Sequence, residues 1–160
     1  MKSFKLIGLK LPGKTKNENG QSGKDCGRLW EKFEVEKITE QIPNKISDEV
    51  YAVYFDYESD ADGLFSYFIG CKVEDETNVP QNLDELIIPE QTYHKETAKG
   101  QMTGCVTEVW EKIWSSDLKR KYGFDFEVYG EKSHNWENAE VDIYLSVVKQ
   151  SNEILASGNE

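Results

Sequence analysis

The sequence predicts an α+β protein built from two similar units. Around Trp30 the chain reads Leu-Trp-Glu-Lys-Phe, and 80 residues later, around Trp110, it reads Val-Trp-Glu-Lys-Ile. In both copies the apolar positions have helical spacing, so each copy predicts an amphipathic helix with Trp on its buried face. A strand-like run precedes each helix and two more follow it. We therefore expect two pseudo-symmetric strand–helix–strand–strand modules, helices on one face of a mainly antiparallel sheet, and a ligand cleft between the halves.

The first unit is predicted within residues 1–78. Its helix is expected to begin with Ser22 as the N-cap, because Ser22 and Asp25 have capping-box spacing. It should reach Gln41, with a break on the way, before Pro43 stops it. The Asp-Gly step within Asp60–Gly63 predicts a hairpin turn. Three runs rich in β-branched and aromatic residues predict the strands Phe4–Leu11, Val50–Tyr57 and Leu64–Val73.

The second unit is predicted within residues 83–150 and is expected to open with Leu86–Ile88. Its helix should begin after Thr103, a candidate N-cap, and end near Ser116. Residues 1–150 are expected to form one domain, and residues 151–160 a disordered tail. The three strands of this unit are predicted at Tyr93–Ala98, Phe124–Tyr129 and Val141–Val148.

Composition excludes several classes of function. The net charge of −11 repels phosphate backbones, so we expect no nucleic-acid binding. The three cysteines are widely spaced and no apolar run approaches the ~20 residues of a membrane helix, so a cytoplasmic protein without membrane contact is expected. The only histidines, His94 and His134, have no second ligand at metal spacing. Phosphate loops and nucleophile elbows are also missing, so no metal and no cofactor are predicted.

The strand Phe124–Tyr129 is the most informative segment for function. Its side chains alternate between two faces, and we expect Phe124, Phe126 and Val128 to lie under the helix. Asp125, Glu127 and Tyr129 should then share the other face with Asp142 and Tyr144 of the last strand, whose core face is Val141, Ile143, Leu145 and Val147. A carboxylate among tyrosines suits a flat cation. The alternative to a ligand site is that this face is simply exposed to solvent.

The tryptophans offer a second indication of a pocket. Trp114 follows Trp110 by one helical turn, so the second helix has the wider aromatic stripe, and we expect the second half to hold the ligand. Trp30 and Trp110 could be core residues or ligand contacts. Trp136 lies in a predicted loop, where it could act as a lid or lie on the surface.

Taken together, the chain resembles the gyrase-inhibitor-like effector-binding domains, which are ligand-sensing modules of multidrug-responsive transcription regulators and also occur as stand-alone proteins. The resemblance covers nearly the whole chain. No single motif is diagnostic, but their order and spacing are specific. The segments that carry it are Leu29–Phe33, Glu49–Tyr54, Asp56–Asp60, Gly63, Ile69–Gly70, Ile88–Pro89, Tyr93, Trp110, Phe126–Tyr129 and Asp142–Tyr144.

The resemblance implies a pseudo-dimer with an aromatic cleft whose basal glutamate selects lipophilic cations; by its match to Phe-Glu-x-Tyr that glutamate is Glu127. With no room for a helix-turn-helix domain, a stand-alone small-molecule binder is expected. Two alternatives stay open: a hydrolase of cyclopropane-type compounds, in which a carboxylate of raised pKa serves as general base, and a protein-interaction module. The candidate ligand-binding residues are Glu127, Tyr129, Tyr144, Trp110, Trp114, Tyr93 and Tyr54.

Overall fold

The computed structural model describes residues 2–18, 20–59 and 63–148, and within them the α+β class is confirmed. The predicted turn at Asp60–Gly63 lies mostly outside these residues, and the predicted tail 151–160 lies wholly outside them. In chain order the elements are β1 (Phe4–Lys10), α1 (Gln21–Val35), a 3₁₀ turn (Ile38–Gln41), β2 (Lys45–Phe55), β3 (Ser66–Val73), β4 (Asp84–Ile88), β5 (Tyr93–Gly100), α2 (Gly104–Trp114), β6 (Asp125–Tyr129), a second 3₁₀ turn (Glu131–Ser133) and β7 (Ala139–Ser146).

One seven-stranded sheet joins the two units. Its strand order is β4-β1-β3-β2-β6-β7-β5, and each neighbouring pair is antiparallel. The first unit comprises β1, α1, β2 and β3, with β4 along its outer edge, and the second comprises β5, α2, β6 and β7. They meet where β2 pairs with β6, from Val50 opposite Tyr129 to Tyr54 opposite Asp125. The middle pair of this junction is Ala52 opposite Glu127.

The strand predicted to open the second unit belongs to the first instead. Strand β4 runs antiparallel to β1, with Ile88 opposite Phe4, and forms the outer edge of the first unit. The expectation that Leu86–Ile88 opens the second unit is therefore wrong, while the extents 1–78 and 83–150 of the internal repeat stay a prediction. A short apolar run shows that a strand exists, but its pairing partner depends on contacts far along the chain.

The start of α1 also differs from the prediction. Gly20 is the N-cap, with φ at +72°, a conformation that glycine adopts without steric cost. Ser22 lies inside the helix and its hydroxyl donates to Asn17 Oδ1 at 2.7 Å. The predicted break in this helical region is confirmed, because α1 ends at Val35 and the 3₁₀ turn follows it. Thr103 is the N-cap of α2 as predicted, although its side chain makes no capping hydrogen bond.

Both helices pack on the same face of the sheet. Leu29 and Phe33 of α1 are buried against the strands of the first unit. Trp110 and Ile113 of α2 are buried against those of the second. The core face predicted for the last strand is confirmed for the three residues Val141, Ile143 and Leu145, which are fully buried under α2.

Strand β6 has the opposite orientation from the one predicted. Phe126 lies on the helix-free face, in a cluster with Phe4, Val53 and Phe68, and Val128 packs against the same cluster. Asp125, Glu127 and Tyr129 therefore face the helices. The alternation was correct, but it does not indicate which face carries the helices, and here the centre of the strand is buried on both faces. Glu127 is 3% exposed and Phe126 is 0% exposed.

The junction predicts that neither unit folds alone. Separating residues 1–89 from residues 90–160 would expose the β2 and β6 edges and the buried pair Val53 and Phe126. Each fragment would keep a single helix on its part of the sheet and bury too little apolar surface. We expect no cooperative thermal transition for either fragment by circular dichroism, with the intact chain as control. A sharp, reversible melt of either fragment would show two independent domains.

Candidate functional site

Glu127 lies at the junction of the two units, beneath both helices. Its Oε2 accepts hydrogen bonds from Trp110 Nε1 at 2.6 Å and from the Tyr54 hydroxyl at 3.0 Å. Its Oε1 accepts one from the Tyr129 hydroxyl at 2.6 Å. The carboxylate is thus held by three aromatic donors, which come from α2, β2 and β6.

Burial determines the protonation of this group. Loss of water raises the pKa of Glu127 above its ordinary value, and the three hydrogen bonds lower it only in part. The pKa values of Tyr54 and Tyr129 are raised, first by their own burial and then by the nearby Glu127 charge. Burial, with a smaller contribution from Glu127, raises the pKa of the Cys26 thiol to about 12. The site therefore favours the neutral form of each of these groups, and a cation beside Glu127 would favour the ionised carboxylate.

Aromatic rings form a continuous frame around the carboxylate. The rings of Tyr54 and Trp110 meet edge to face at 5.3 Å, and those of Trp30 and Tyr129 do so at the same distance. Trp30 also donates from Nε1 to the Tyr67 hydroxyl at 2.8 Å. Tryptophan therefore plays a related part in both units: its ring packs at the junction and its N–H binds an oxygen on the sheet.

Two cavities open between the helices, one on each side of this frame. We call the first the Cys26 cavity; it measures about 180 Å³ and is lined by residues that include Cys26, Tyr54, Phe65, Trp110, Trp114 and Arg120. We call the second the Trp136 cavity; it measures about 470 Å³ and is lined by residues that include Trp30, Glu34, Asp48, Thr103, Tyr129 and Trp136. The N-terminal half of α1 thus faces the C-terminal half of α2, so the helices run in opposite directions across the cleft.

The two oxygens of Glu127 are divided between these cavities. The donors to Oε2, Trp110 and Tyr54, line the Cys26 cavity, whereas Tyr129, the donor to Oε1, lines the Trp136 cavity. The charges at the two ends also differ. The Trp136 cavity carries the carboxylates of Glu34 and Asp48, and the Cys26 cavity carries the guanidinium of Arg120. The cleft therefore has an acidic end and a basic end.

A second buried carboxylate, Asp125, fixes the basic end. It is 0% exposed and its Oδ2 accepts hydrogen bonds from the Tyr57 hydroxyl at 2.7 Å and from Arg120 Nη2 at 2.8 Å. Its Oδ1 accepts from both the backbone N–H and the hydroxyl of Ser146, at 2.7 and 2.9 Å. Four donors, one of them on the Arg120 cation, compensate this charge, so Asp125 serves to position Arg120 and Tyr57.

The structure brings together five of the seven predicted site residues. Glu127, Tyr129, Tyr54 and Trp110 form the hydrogen-bonded centre, and the ring of Trp114 lies 6.3 Å from that of Trp110 at the Cys26 cavity. These placements agree with one shared cleft.

Tyr93 and Tyr144 are not part of that cleft. Their rings pack at 5.3 and 5.0 Å from Phe126, on the helix-free face of the sheet. The expectation that Tyr144 shares a face with Glu127 is wrong, because paired residues on adjacent strands point the same way and Tyr144 is opposite Phe126. The register between β6 and β7 determines which residues share a face, and the sequence does not give that register.

Tyr57, Tyr67 and Arg120 contribute to the cleft but are not among the candidate ligand-binding residues. Asp125 was expected on the same face as Glu127, from the alternation of side chains, but no role was predicted for it. Arg120 lies between α2 and β6, where no periodic pattern indicates which way a side chain points. Within the described ranges, no cluster of three or more His, Cys, Asp and Glu residues could hold a metal ion. None of the helices there is long and apolar enough to span a membrane.

Comparison with known proteins finds a matching family and solved structures of the same fold. The family model of Cass2, described as integron-associated effector binding protein, matches residues 1–147. The putative transcriptional regulator protein YobU of Bacillus subtilis (strain 168) is 25% identical over 125 residues, which are 76% of this chain and 78% of YobU.

Two solved structures share the whole architecture. An integron cassette protein from the mobile metagenome of Vibrio cholerae, VCH_CASS2, is 26% identical with a TM-score of 0.68, and the match covers 92% of each chain. SAV2435, solved bound to tetraphenylphosphonium, has a TM-score of 0.75 at 16% identity, covering 98% of this chain and 96% of that one. At that identity the likeness to SAV2435 is one of fold.

Proposed function

Because this chain belongs to the Cass2 family of integron-associated effector binding proteins, we propose that its effectors are lipophilic cations with Glu127 as their counter-charge. The observation that carries the proposal is a buried carboxylate whose partners are all uncharged. Among the described residues, Glu127 forms no ion pair with Lys, Arg or His. Burying such a charge costs free energy unless a cation compensates it, and a ligand can supply that cation. SAV2435, which has this fold, binds a cation of this kind.

The cation enters from the Trp136 cavity. A cation that binds Oε1 of Glu127 displaces one hydrogen bond, from the Tyr129 hydroxyl. A cation that binds Oε2 would displace two. Glu34 and Asp48 at this end attract a cation, whereas the other end carries the ion pair of Arg120 and Asp125. The cavity of about 470 Å³ falls in the range typical of small-molecule sites.

The aromatic frame supplies the selectivity for apolar cations. Trp30, Tyr129 and Trp136 line the Trp136 cavity and offer ring faces and edges to a delocalised charge. Trp136 is 61% exposed and so lies at the mouth, where it can cover a bound ligand.

We expect binding without turnover. Both oxygens of Glu127 are occupied by hydrogen-bond donors, which makes it a poor base for water. The Cys26 thiol, with its pKa raised to about 12, is a poor nucleophile. These two observations favour an effector-binding role over the hydrolase alternative.

Titration with tetraphenylphosphonium at several pH values tests the proposed function. We expect micromolar binding near neutral pH, with a change in Trp fluorescence. Since burial raises the pKa of Glu127 and a cation favours the ionised form, affinity should fall as pH decreases through that raised pKa. The fall should approach about tenfold per pH unit below it. Absence of binding, or an affinity that does not vary with pH, would contradict the proposal.

A further inference from the structure

We propose that the Cys26 cavity is a second ligand site, which binds an uncharged single aromatic ring independently of the cation in the Trp136 cavity. The cleft would then hold two different ligands at once, one on each side of the aromatic frame. The proposal concerns the same cleft as the proposed function, but it does not depend on Glu127 binding a cation.

The first observation is that the internal repeat relates the two cavities to each other. On the sheet, Tyr54 lies two residues after Ala52 and lines the Cys26 cavity, and Tyr129 lies two residues after Glu127 and lines the Trp136 cavity. Residues of the two helical segments match at the same offset of 80 that relates the Trp motifs. The Cys26 cavity is therefore the counterpart of the cavity assigned to the cation. The matched residues, with that of the Cys26 cavity first, are Ser22 and Met102, Gly23 and Thr103, Trp110 and Trp30, and Trp114 and Glu34.

The second observation is that an aromatic residue replaces a charged one between the two cavities. Trp114 lines the Cys26 cavity at the position where the Trp136 cavity has Glu34. The guanidinium of Arg120 at this end is 2.8 Å from Asp125, which compensates its charge. On this side Glu127 is covered by its two donors to Oε2. A ligand that binds here therefore needs no charge of its own.

The aromatic wall of the cavity suits a flat ring. The ring of Phe65 lies 5.6 Å from that of Tyr54 and 5.9 Å from that of Tyr57, and the ring of Trp114 lies 6.3 Å from that of Trp110. An added ring can make further contacts of this kind, edge to face or offset, with the rings of the wall. Both tyrosine hydroxyls already donate to the buried carboxylates, so the wall offers a ligand mainly apolar surface.

Small residues of α1 leave the space that a ring would fill. Ser22, Gly23 and Cys26 line the cavity, and a Cβ added at Gly23 would meet no heavy atom within 4 Å outside the backbone of its own helix. The cavity measures about 180 Å³, and an apolar cavity of about 150 Å³ is enough to bind benzene. Trp114 is 47% exposed, which places it at the mouth, so a ligand can enter from solvent.

Titration of the full chain with toluene, followed by the indole N–H signals in ¹H–¹⁵N NMR, tests the proposal. We expect a dissociation constant of about 1 mM or lower, with larger shifts for Trp110 and Trp114 than for Trp136. Saturating tetraphenylphosphonium should leave the affinity for toluene unchanged, because the cation lies in the other cavity. Benzylammonium, which adds a charge to the same ring, should shift Trp114 less, since burying that charge costs free energy. Absence of binding, displacement of toluene by tetraphenylphosphonium, or an equal response of Trp114 to benzylammonium would overturn the proposal.

Gly23→Leu places a side chain in the space of the ligand and should weaken toluene binding at least about tenfold. Gly27→Leu is the matched control, because Gly27 lies one turn further along α1, has the same open surroundings and lines neither cavity. It should bind toluene as the wild type does. Toluene binding that survives Gly23→Leu would contradict the proposal. Wild-type protein that binds toluene but not tetraphenylphosphonium would instead contradict the proposed function, so the two failures are distinguishable.

Discussion

Replacing Glu127 by Gln should weaken tetraphenylphosphonium binding by about ten- to a hundredfold. The amide nearly preserves the shape of the carboxylate, and it can still accept hydrogen bonds at its remaining oxygen. It cannot compensate a cation, however, and a contact with a partly desolvated charge contributes about 1.5–3 kcal/mol. Isothermal titration calorimetry of the two proteins at neutral pH measures the difference.

Two controls separate charge from shape. Glu34→Gln removes a carboxylate from the exposed mouth of the same cavity and should have only a small, salt-dependent effect. Trimethylphenylammonium and tert-butylbenzene have the same shape, so Glu127→Gln should weaken only the first. Equal losses for both ligands would mean that Glu127 is structural, and no loss for either would mean that the cation binds elsewhere.

The largest effect on stability is expected for Asp125→Ala. This change leaves the guanidinium of Arg120 buried without its counter-charge and removes the acceptor of the Tyr57 hydroxyl and of Ser146. Breaking a buried ion pair on one side typically costs about 3–5 kcal/mol. Urea denaturation should show this loss in the free energy of unfolding, with an unchanged dependence on urea concentration.

Asp48→Ala is the matched control. Asp48 pairs with Lys45, but its side chain is 98% exposed, so the same substitution should change stability by less than about 1 kcal/mol. If the two variants lost equal stability, the Asp125 network would contribute no more than a surface pair. The position of Arg120 would then need another explanation.

The repeated Trp helices and Glu127 were predictable because each depends on local pattern. Helical spacing around Trp30 and Trp110 fixes which side of each helix is apolar, and alternation along β6 sets Glu127 apart from Phe126. Which face of the sheet the helices cover was not predictable, because both faces are apolar enough to be buried. The reversed orientation of β6 and the misplaced Tyr144 follow from that one ambiguity.

The basic end of the cleft was beyond sequence reasoning for a different reason. Its residues are brought together by tertiary contacts: Tyr57 follows β2, Arg120 precedes β6, and Ser146 ends β7. None has a partner at a spacing that any secondary structure would impose. The pairing of β4 with β1 could not be predicted for the same reason, because strand propensity does not indicate which strand a segment pairs with.

The central pair of the junction, Ala52 opposite Glu127, has a consequence for how such a site could arise. A homodimer with its two-fold axis through that pair would carry the same residue at both positions. Two glutamates would then face each other within one buried space, and their mutual repulsion would oppose ionisation of both. Joining the halves in one chain lets them differ, so that a methyl group faces a single carboxylate. A homodimer cannot have this asymmetry of one carboxylate at the junction, whereas a single chain can.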